Sequence, residues 1–201
     1  MGERKIFLSY CQKDSDIADL IEERLTPLVG EDYTISRDIR NVEYGHSFRN
    51  FMESIREHEY VIMVLSDRYL KSINCMYEML ETFKDSCYGK RLLFIILSDE
   101  DKKYFKMPVE ESIAADLYSI EGQTKYILFW QQEKADTEKL IHQIGDQVLA
   151  LPHIKRLREI TKIELGLSEF FEYISDARGL PLKEHLDTDF REILERTGKV
   201  S

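Results

Sequence analysis

Residues Tyr60–Asp85, YVIMVLSDRYLKSINCMYEMLETFKD, decide the reading of this chain. Tyr60–Leu65 is apolar throughout and bounded by Ser66 and Asp67, the pattern of a strand buried on both faces. After a short turn, Met76, Met79, Leu80 and Phe83 share one side at helical spacing, and Ser72 stands where an N-cap belongs. A strand that feeds a helix in this way puts the helix's first turns at the carboxyl edge of a parallel sheet. That edge is where open α/β folds bind ligands. Glu78 lies nearly opposite the apolar stripe, beside Asn74, Cys75 and Thr82, and is the leading candidate for chemistry. A Glu on the polar face of a helix is otherwise simply solvated, so its weight comes from the rest of the chain.

Upstream, Lys5–Tyr10 (KIFLSY) reads as a first strand, followed by the polar turn CQKDSD. A helix is expected from Asp16 to Leu28, with Ile17, Leu20, Ile21, Leu25 and Leu28 on one side, Asp14 or Ser15 as its cap and Gly30 as its stop. Tyr33–Ser36 makes a short second strand. The loop Arg37–Gly45 (RDIRNVEYG) is polar and too long for a plain turn, and Ser47 then caps a helix with Phe48, Phe51, Met52 and Ile55. Downstream, Leu92–Leu97 (LLFIIL) is a buried fourth strand. Ser98–Gly122 is charged and irregular, with a short helix expected over Val109–Leu117. Tyr126–Trp130 (YILFW) reads as the fifth strand and Thr137–Leu149 as the helix after it.

Strands alternating with helices predict an α/β fold, a flavodoxin-like, doubly wound parallel sheet of five strands. A strand order of 2-1-3-4-5 would bring Ser9 and Tyr10 next to the start of the helix carrying Glu78. The main domain is expected over residues 1–150, with a helical C-terminal extension over 151–201. That extension shows no strand signal. It carries three stripes: Ile154, Leu157 and Ile160; Phe170, Phe171 and Ile174; and Phe190, Ile193 and Leu194. Each must bury against the main domain or another chain.

Composition narrows the function classes. A formal charge of −10 opposes binding to nucleic acid or to a membrane surface, both of which need a basic footprint. No apolar run exceeds about seven residues, far short of a bilayer span. The start, MGERKIFLSY, carries no signal-peptide core, and Ile6 stands where a myristoylation signal wants Ser or Thr. Three cysteines without a CxxC fit reduced thiols and a cytoplasmic location, and the five histidines form no metal array.

With the strands placed, several stretches resemble the signature boxes of Toll/interleukin-1 receptor (TIR) domains. KIFLSY with its charged turn resembles the first box, and SRDIRNVEYGHSFRNFMESI the BB loop and its helix. YVIMVLSDRYLKSINCMYEML resembles the third strand and its helix, where the family carries Trp-Cys-x-x-Glu. Phe129-Trp130 is similar to the box-three pair. The resemblance covers roughly residues 4 to 150 and none of the final helices.

Some TIR domains signal by homotypic assembly. Others, in bacterial antiviral systems and plant immunity, cleave NAD+ at the nicotinamide–ribose bond, and some cyclise the product. The resemblance to the bacterial NAD-cleaving type implies that Glu78, three residues after Cys75, is catalytic. It also implies that Ser9, Tyr10, Asn74 and Cys75 line a nucleotide pocket, with Arg37, Asp38 and Gly45 in the BB loop that closes over it. NAD+ is then a substrate, no cofactor is required, and self-association through the BB loop and a downstream effector protein are the implied partners. Nicotinamide leaves as a neutral molecule from a cationic ring, so one carboxylate near the ribose suffices to steady an oxocarbenium-like transition state.

Two positions depart from the family pattern. Asn74 replaces the motif's Trp, and the BB loop lacks the Pro-Gly common in receptor adaptors. Plainer explanations stand beside the pocket roles: Tyr10 packing at a strand end, Gly45 serving a turn, Arg37 with Asp38 as an exposed ion pair, Cys75 as a small buried side chain. His46 is the histidine nearest the expected cleft and reads as solvated. The alternative function is a non-enzymatic scaffold that assembles homotypically. A nucleoside deoxyribosyltransferase-like enzyme shares the architecture and a catalytic Glu, without a residue pattern specific to it here.

Overall fold

The computed structural model describes residues 4–37, 58–83 and 91–199, and for Glu78 and residues 81–83 it describes the helix backbone alone. The loop and helix expected from Asp38 to residue 57, with Asp38, Gly45, His46 and Ser47, lie outside the described residues.

The first strand, β1 (Arg4–Tyr10), leads into helix α1 (Ser15–Val29) and strand β2 (Tyr33–Arg37). Gly30 ends α1 at φ 65°, a left-handed conformation that a residue without Cβ adopts without cost. Strand β3 (Tyr60–Leu65) is followed by one helical turn, α2 (Asp67–Leu70), and by α3 (Ile73–Phe83). As the pattern predicts, the Ser72 hydroxyl accepts from the Cys75 amide, at 3.4 Å. Strand β4 is Leu92–Ile96, buried along its whole length. The strands form one parallel sheet ordered β2-β1-β3-β4-β5, the expected flavodoxin-like order.

The fifth strand is not where the apolar run YILFW suggests. Tyr126–Trp130 lies inside a helix, α4 (Ile120–Ile144), which also contains Thr137. Its buried positions, Gly122, Tyr126, Trp130 and Thr137, recur at helical spacing, whereas Leu128 is 58% exposed. A short apolar run cannot distinguish strand from helix by itself, and here the long polar flanks decide for helix. β5 is instead Leu180–Pro181, pairing through Ile95↔Leu180 and Ile96↔Pro181. Its edge place suits a proline, which has no N–H to donate to a further strand.

The helix expected over Val109–Leu117 is also absent. Ile113, Ala115 and Leu117 are buried at a period of two, in an irregular extended segment anchored by Asp67 N–H to Ile113 O and Ala115 N–H to Leu97 O, each 2.9 Å.

The C-terminal residues are structural members of both layers. The first two stripes fall on one helix, α5 (Leu151–Ala177), with Pro152 in its first turn, where a missing N–H is tolerated. It packs along α3 and α4. Ile160, Ile163, Leu167, Phe170 and Ile174 join Phe7, Val61, Met63, Leu65, Phe94 and Ile96 in the core on that side of the sheet. The chain then crosses through β5 to α6 (Leu182–Asp187) and α7 (Arg191–Arg196). Leu182, Phe190, Ile193 and Leu194 fill the opposite core with Ile6, Leu8, Ile62, Val64, Leu93 and Ile95. Burying such side chains contributes roughly 1.5–3 kcal/mol each. A chain ending at Ala150 is therefore expected to be insoluble or molten, read by gel filtration and near-ultraviolet circular dichroism. A monodisperse, cooperatively folded product would refute this.

His185, on α6, is buried and stacks on Phe190 at 5.7 Å between ring centroids. A small cavity beside it, at the amino-terminal end of β4, is lined also by Arg178, Glu192 and Arg196. Burial lowers the His185 pKa to about 4. The unfolded chain takes up this proton near pH 6.5 and the folded chain only near 4, so stability is complete above 6.5 and is lost as pH falls through that window. The loss amounts to about 3 kcal/mol. Urea unfolding across this range should show that slope in the wild type and its removal in His185→Phe.

Candidate functional site

The carboxyl edge of the sheet is organised by polar side chains at the ends of β1 and β3, whose pairing runs from Ile6↔Tyr60 to Tyr10↔Val64. Asp14, in the turn after β1, is fully buried. Its carboxylate accepts from the Ser66 hydroxyl and, at 3.1 Å, from Arg68 Nη1. Ser66 caps α2 by accepting from the Tyr69 amide at 2.9 Å, and the Tyr69 hydroxyl shares a hydrogen bond with Ser9 Oγ at 3.1 Å. Arg68 also donates to Lys13 O at 3.0 Å and to Glu111 Oε1 at 2.7 Å. One network thus clamps the β1 turn, the β3 end and the 98–119 segment together.

Burial pushes the Asp14 carboxyl up, and the hydrogen bond from Ser66 and the Arg68 guanidinium oppose that rise. Asp67, beside it, is lowered overall. Burial acts to raise it, but Lys125 Nζ and Lys71 Nζ, both at 2.7 Å, outweigh that and hold it ionised.

The predicted residues divide clearly. Ser9 is buried and Tyr10 half-buried at the end of β1. Asn74 is exposed and Cys75 half-buried in the first turn of α3. Both groups border one core, because Cys11, next after Tyr10, belongs to the cluster against which Cys75 packs. Glu78 is carried on α3, one turn beyond Cys75. Arg37, at the end of β2, is engaged by α1: Nη1 bonds Asp19 Oδ1 at 2.6 Å, the guanidinium also bonds Glu22, and it reaches the Tyr10 hydroxyl. Burial acts to lower its pKa, and the bonds to Asp19 and Glu22 raise it further than that. Asp19 in turn holds Lys106 at 2.9 Å. Asp38 and Gly45 lie outside the described residues.

Sequence reasoning treated Asp14 as a helix cap, but its side chain makes no cap bond and turns into the sheet edge. It also passed over Cys11, Ser66, Arg68 and Tyr69. The available signal was position: each is a polar or reactive residue placed directly after an apolar strand. Trp130 and Phe129 sit on α4, where the Trp130 indole donates to Leu70 O at 3.1 Å and so props α2 from behind. Among the described residues no cluster of His, Cys, Asp and Glu could hold a metal ion. Nor is any described helix long and apolar enough to cross a membrane.

Residues 6–143 match the sequence model of the TIR domain family, which is more than half of the chain. This chain belongs to the TIR domain family. No curated protein matches it. The matched span covers β1 to the end of α4. In this TIR domain β5, the part of the core beneath α3 that α5 supplies, and Leu182, Phe190, Ile193 and Leu194 on the opposite face come from residues beyond it.

The Asp14 network should be structurally dominant. Asp14→Ala leaves the Arg68 side chain, 12% exposed, without its buried counter-charge. The expected loss is about 3–5 kcal/mol in urea unfolding, against less than half of that for Glu111→Ala at the solvent end of the same guanidinium. Equal effects would show that the buried carboxylate is not the anchor.

Proposed function

We propose that this TIR domain cleaves NAD+ at the nicotinamide–ribose bond, with Glu78 as the catalytic carboxylate. The carrying observation is the packing of Cys75, in the first turn of α3, against the core cluster that contains Cys11 after the end of β1. Glu78 follows three residues later on the same helix, and the strand order puts the topological switch point of the sheet between β1 and β3. In the enzymatic branch of the family the Glu at this spacing from the motif Cys is catalytic. Ser9, Tyr10, Asn74 and Cys75 would contact the nucleotide, with Arg37, Asp38 and Gly45 as the contribution of the BB loop.

The chemistry asks little of the protein. As the C–N bond to the neutral leaving group lengthens, positive charge grows on the ribose, and one fixed carboxylate beside it lowers the barrier. It also accepts a ribose hydroxyl hydrogen bond. Attack by water gives ADP-ribose, and attack by the adenine ring gives a cyclic product, according to how well the closed crevice excludes solvent. Activity that depends on self-association, within bacterial antiviral signalling in the cytoplasm, completes the reading.

A non-enzymatic assembly module is the second reading. It is favoured by the exposed side chains Val148, Leu149 and Leu151 at the α4–α5 turn, 73%, 70% and 58% accessible, and by the enlistment of Arg37 in ion pairs within the fold. Concentrated protein incubated with NAD+ and assayed for free nicotinamide separates the two. Glu78→Gln is expected to lower the rate by about 10²-fold or more while keeping the wild-type oligomers in light scattering. Equal release by both proteins would remove Glu78 from the mechanism, and no release from assembled wild type would favour the scaffold.

A further inference from the structure

Among the described residues, the non-glycine residues of positive φ are Arg178, Asp189 and Phe190, at 46°, 49° and 55°. All of them fall in the segment 178–199, which leaves the end of α5 and crosses to the α6–α7 side of the sheet. A left-handed backbone that carries a Cβ is strained, least so for Asp. At Arg178 the cause is the next residue. A Cβ on Gly179 would lie 2.9 Å from Phe94 Cβ and 2.9 Å from Ile96 Cδ1. Glycine is therefore needed there for close approach to β4, and Arg178 takes the left-handed position at the end of the helix.

The hold on this segment is divided. β5 gives it the pairs Ile95↔Leu180 and Ile96↔Pro181, and Leu182, Phe190, Ile193 and Leu194 bury against the α1-side core. At its far end the Tyr60 hydroxyl donates to Arg196 O at 2.6 Å and the Tyr33 hydroxyl to Thr197 O at 3.1 Å. Between these anchors sits His185, 3% exposed, with neither ring nitrogen in a hydrogen bond of good geometry. Burial disfavours a proton on this ring and outweighs the Phe94 carbonyl, which favours one. The charged groups around the adjoining cavity are Arg178 from α5 and Glu192 and Arg196 from α7, while β4 presents only Leu92, Leu93 and Phe94. Lys183, Glu184 and Asp187, on the helix of His185 itself, are exposed. Glu192 is engaged by Arg196 at 3.4 Å, so the cavity holds no uncommitted carboxylate to receive an imidazolium.

We propose that residues 178–199 form an acid-opened cap, which detaches from β4 and from the α1-side core as a unit while the rest of the sheet stays folded, driven by protonation of His185. The closed cap excludes the charged ring, and the open cap hydrates it. His185 binds its proton near 6.5 when hydrated and only near 4 when closed, so closure is fully stabilised above 6.5 and weakens as pH falls through that window. Opening leaves β4 with an unpaired edge beside Leu93 and Ile95, and uncovers the apolar side chains that Leu182 and Phe190 protect. It does not depend on the NAD+ reading.

Hydrogen exchange of the full chain, followed by mass spectrometry from neutral to acid pH and corrected for the intrinsic exchange rate, tests this. Peptides from 180–196 are expected to open more readily as pH falls, by about tenfold per pH unit within the window, while peptides from β1, β3 and α5 keep their protection. In His185→Phe the cap should open at a rate independent of pH. Asp189→Gly, which relieves the left-handed strain on an exposed residue, should reduce opening a few-fold at every pH and keep the wild-type slope. Exchange of the cap in step with β1 and β3, opening of the wild-type cap that does not change with pH, or an undiminished slope in His185→Phe would each overturn the proposal.

Discussion

The structure depends on the parallel pairing of β1 with β3 at the centre of the sheet. Neither strand has an edge, and both faces are dry, so every side chain between Ile6 and Leu8 and between Val61 and Leu65 must be covered by another element. Odd and even positions therefore need separate cores. Phe7, Val61, Met63 and Leu65 point to the α3–α4–α5 side, and Ile6, Leu8, Ile62 and Val64 to the α1–α6–α7 side. The C-terminal helices answer this demand. A domain ending with α4 would expose the part of each face that these helices cover.

The same burial explains the polar clamp. Where β1 and β3 stop, their carbonyl ends meet water and the chain must turn sharply twice within a small volume. Asp14 is taken wholly out of solvent there, which is tolerable because Ser66 and Arg68 neutralise it with directed hydrogen bonds. Ser66 caps α2 at the same time, so one hydroxyl sets both the turn after β1 and the start of the helix after β3. Tyr69 extends the clamp to Ser9. These hydrogen bonds join the turn after β1, the end of β3 and the start of α2 into one buried network.

Charge is distributed to match. Arg37, Lys106, Asp16, Asp19 and Glu22 bind the β2 end and the 98–119 segment to α1. Lys71 and Lys125 compensate Asp67 on the α4 side. Among the described residues, Arg37, Lys106, Lys71 and Lys125 are thus each paired with a carboxylate of the same chain.

Sequence alone determined the fold class, the strand order and the span of β1 to β4, because a strand buried on both faces must be apolar throughout and the helices between must be striped. It also marked Ser9, Tyr10, Cys75 and Glu78 as neighbours of one edge, since strand order and strand ends suffice for that. It misplaced β5, because YILFW satisfies strand and helix alike while Leu180–Pro181 is too short to leave any pattern. It read Ile113, Ala115 and Leu117 as helical because three apolar residues at alternate positions look similar in either period when surrounded by charge. Only the tertiary structure decided that Asp14 is buried rather than capping, that Arg37 serves α1, and that Cys75 packs against the core containing Cys11. Periodicity reports the surroundings of one element at a time. A contact between residues far apart in the chain leaves no local trace until the sheet brings them together.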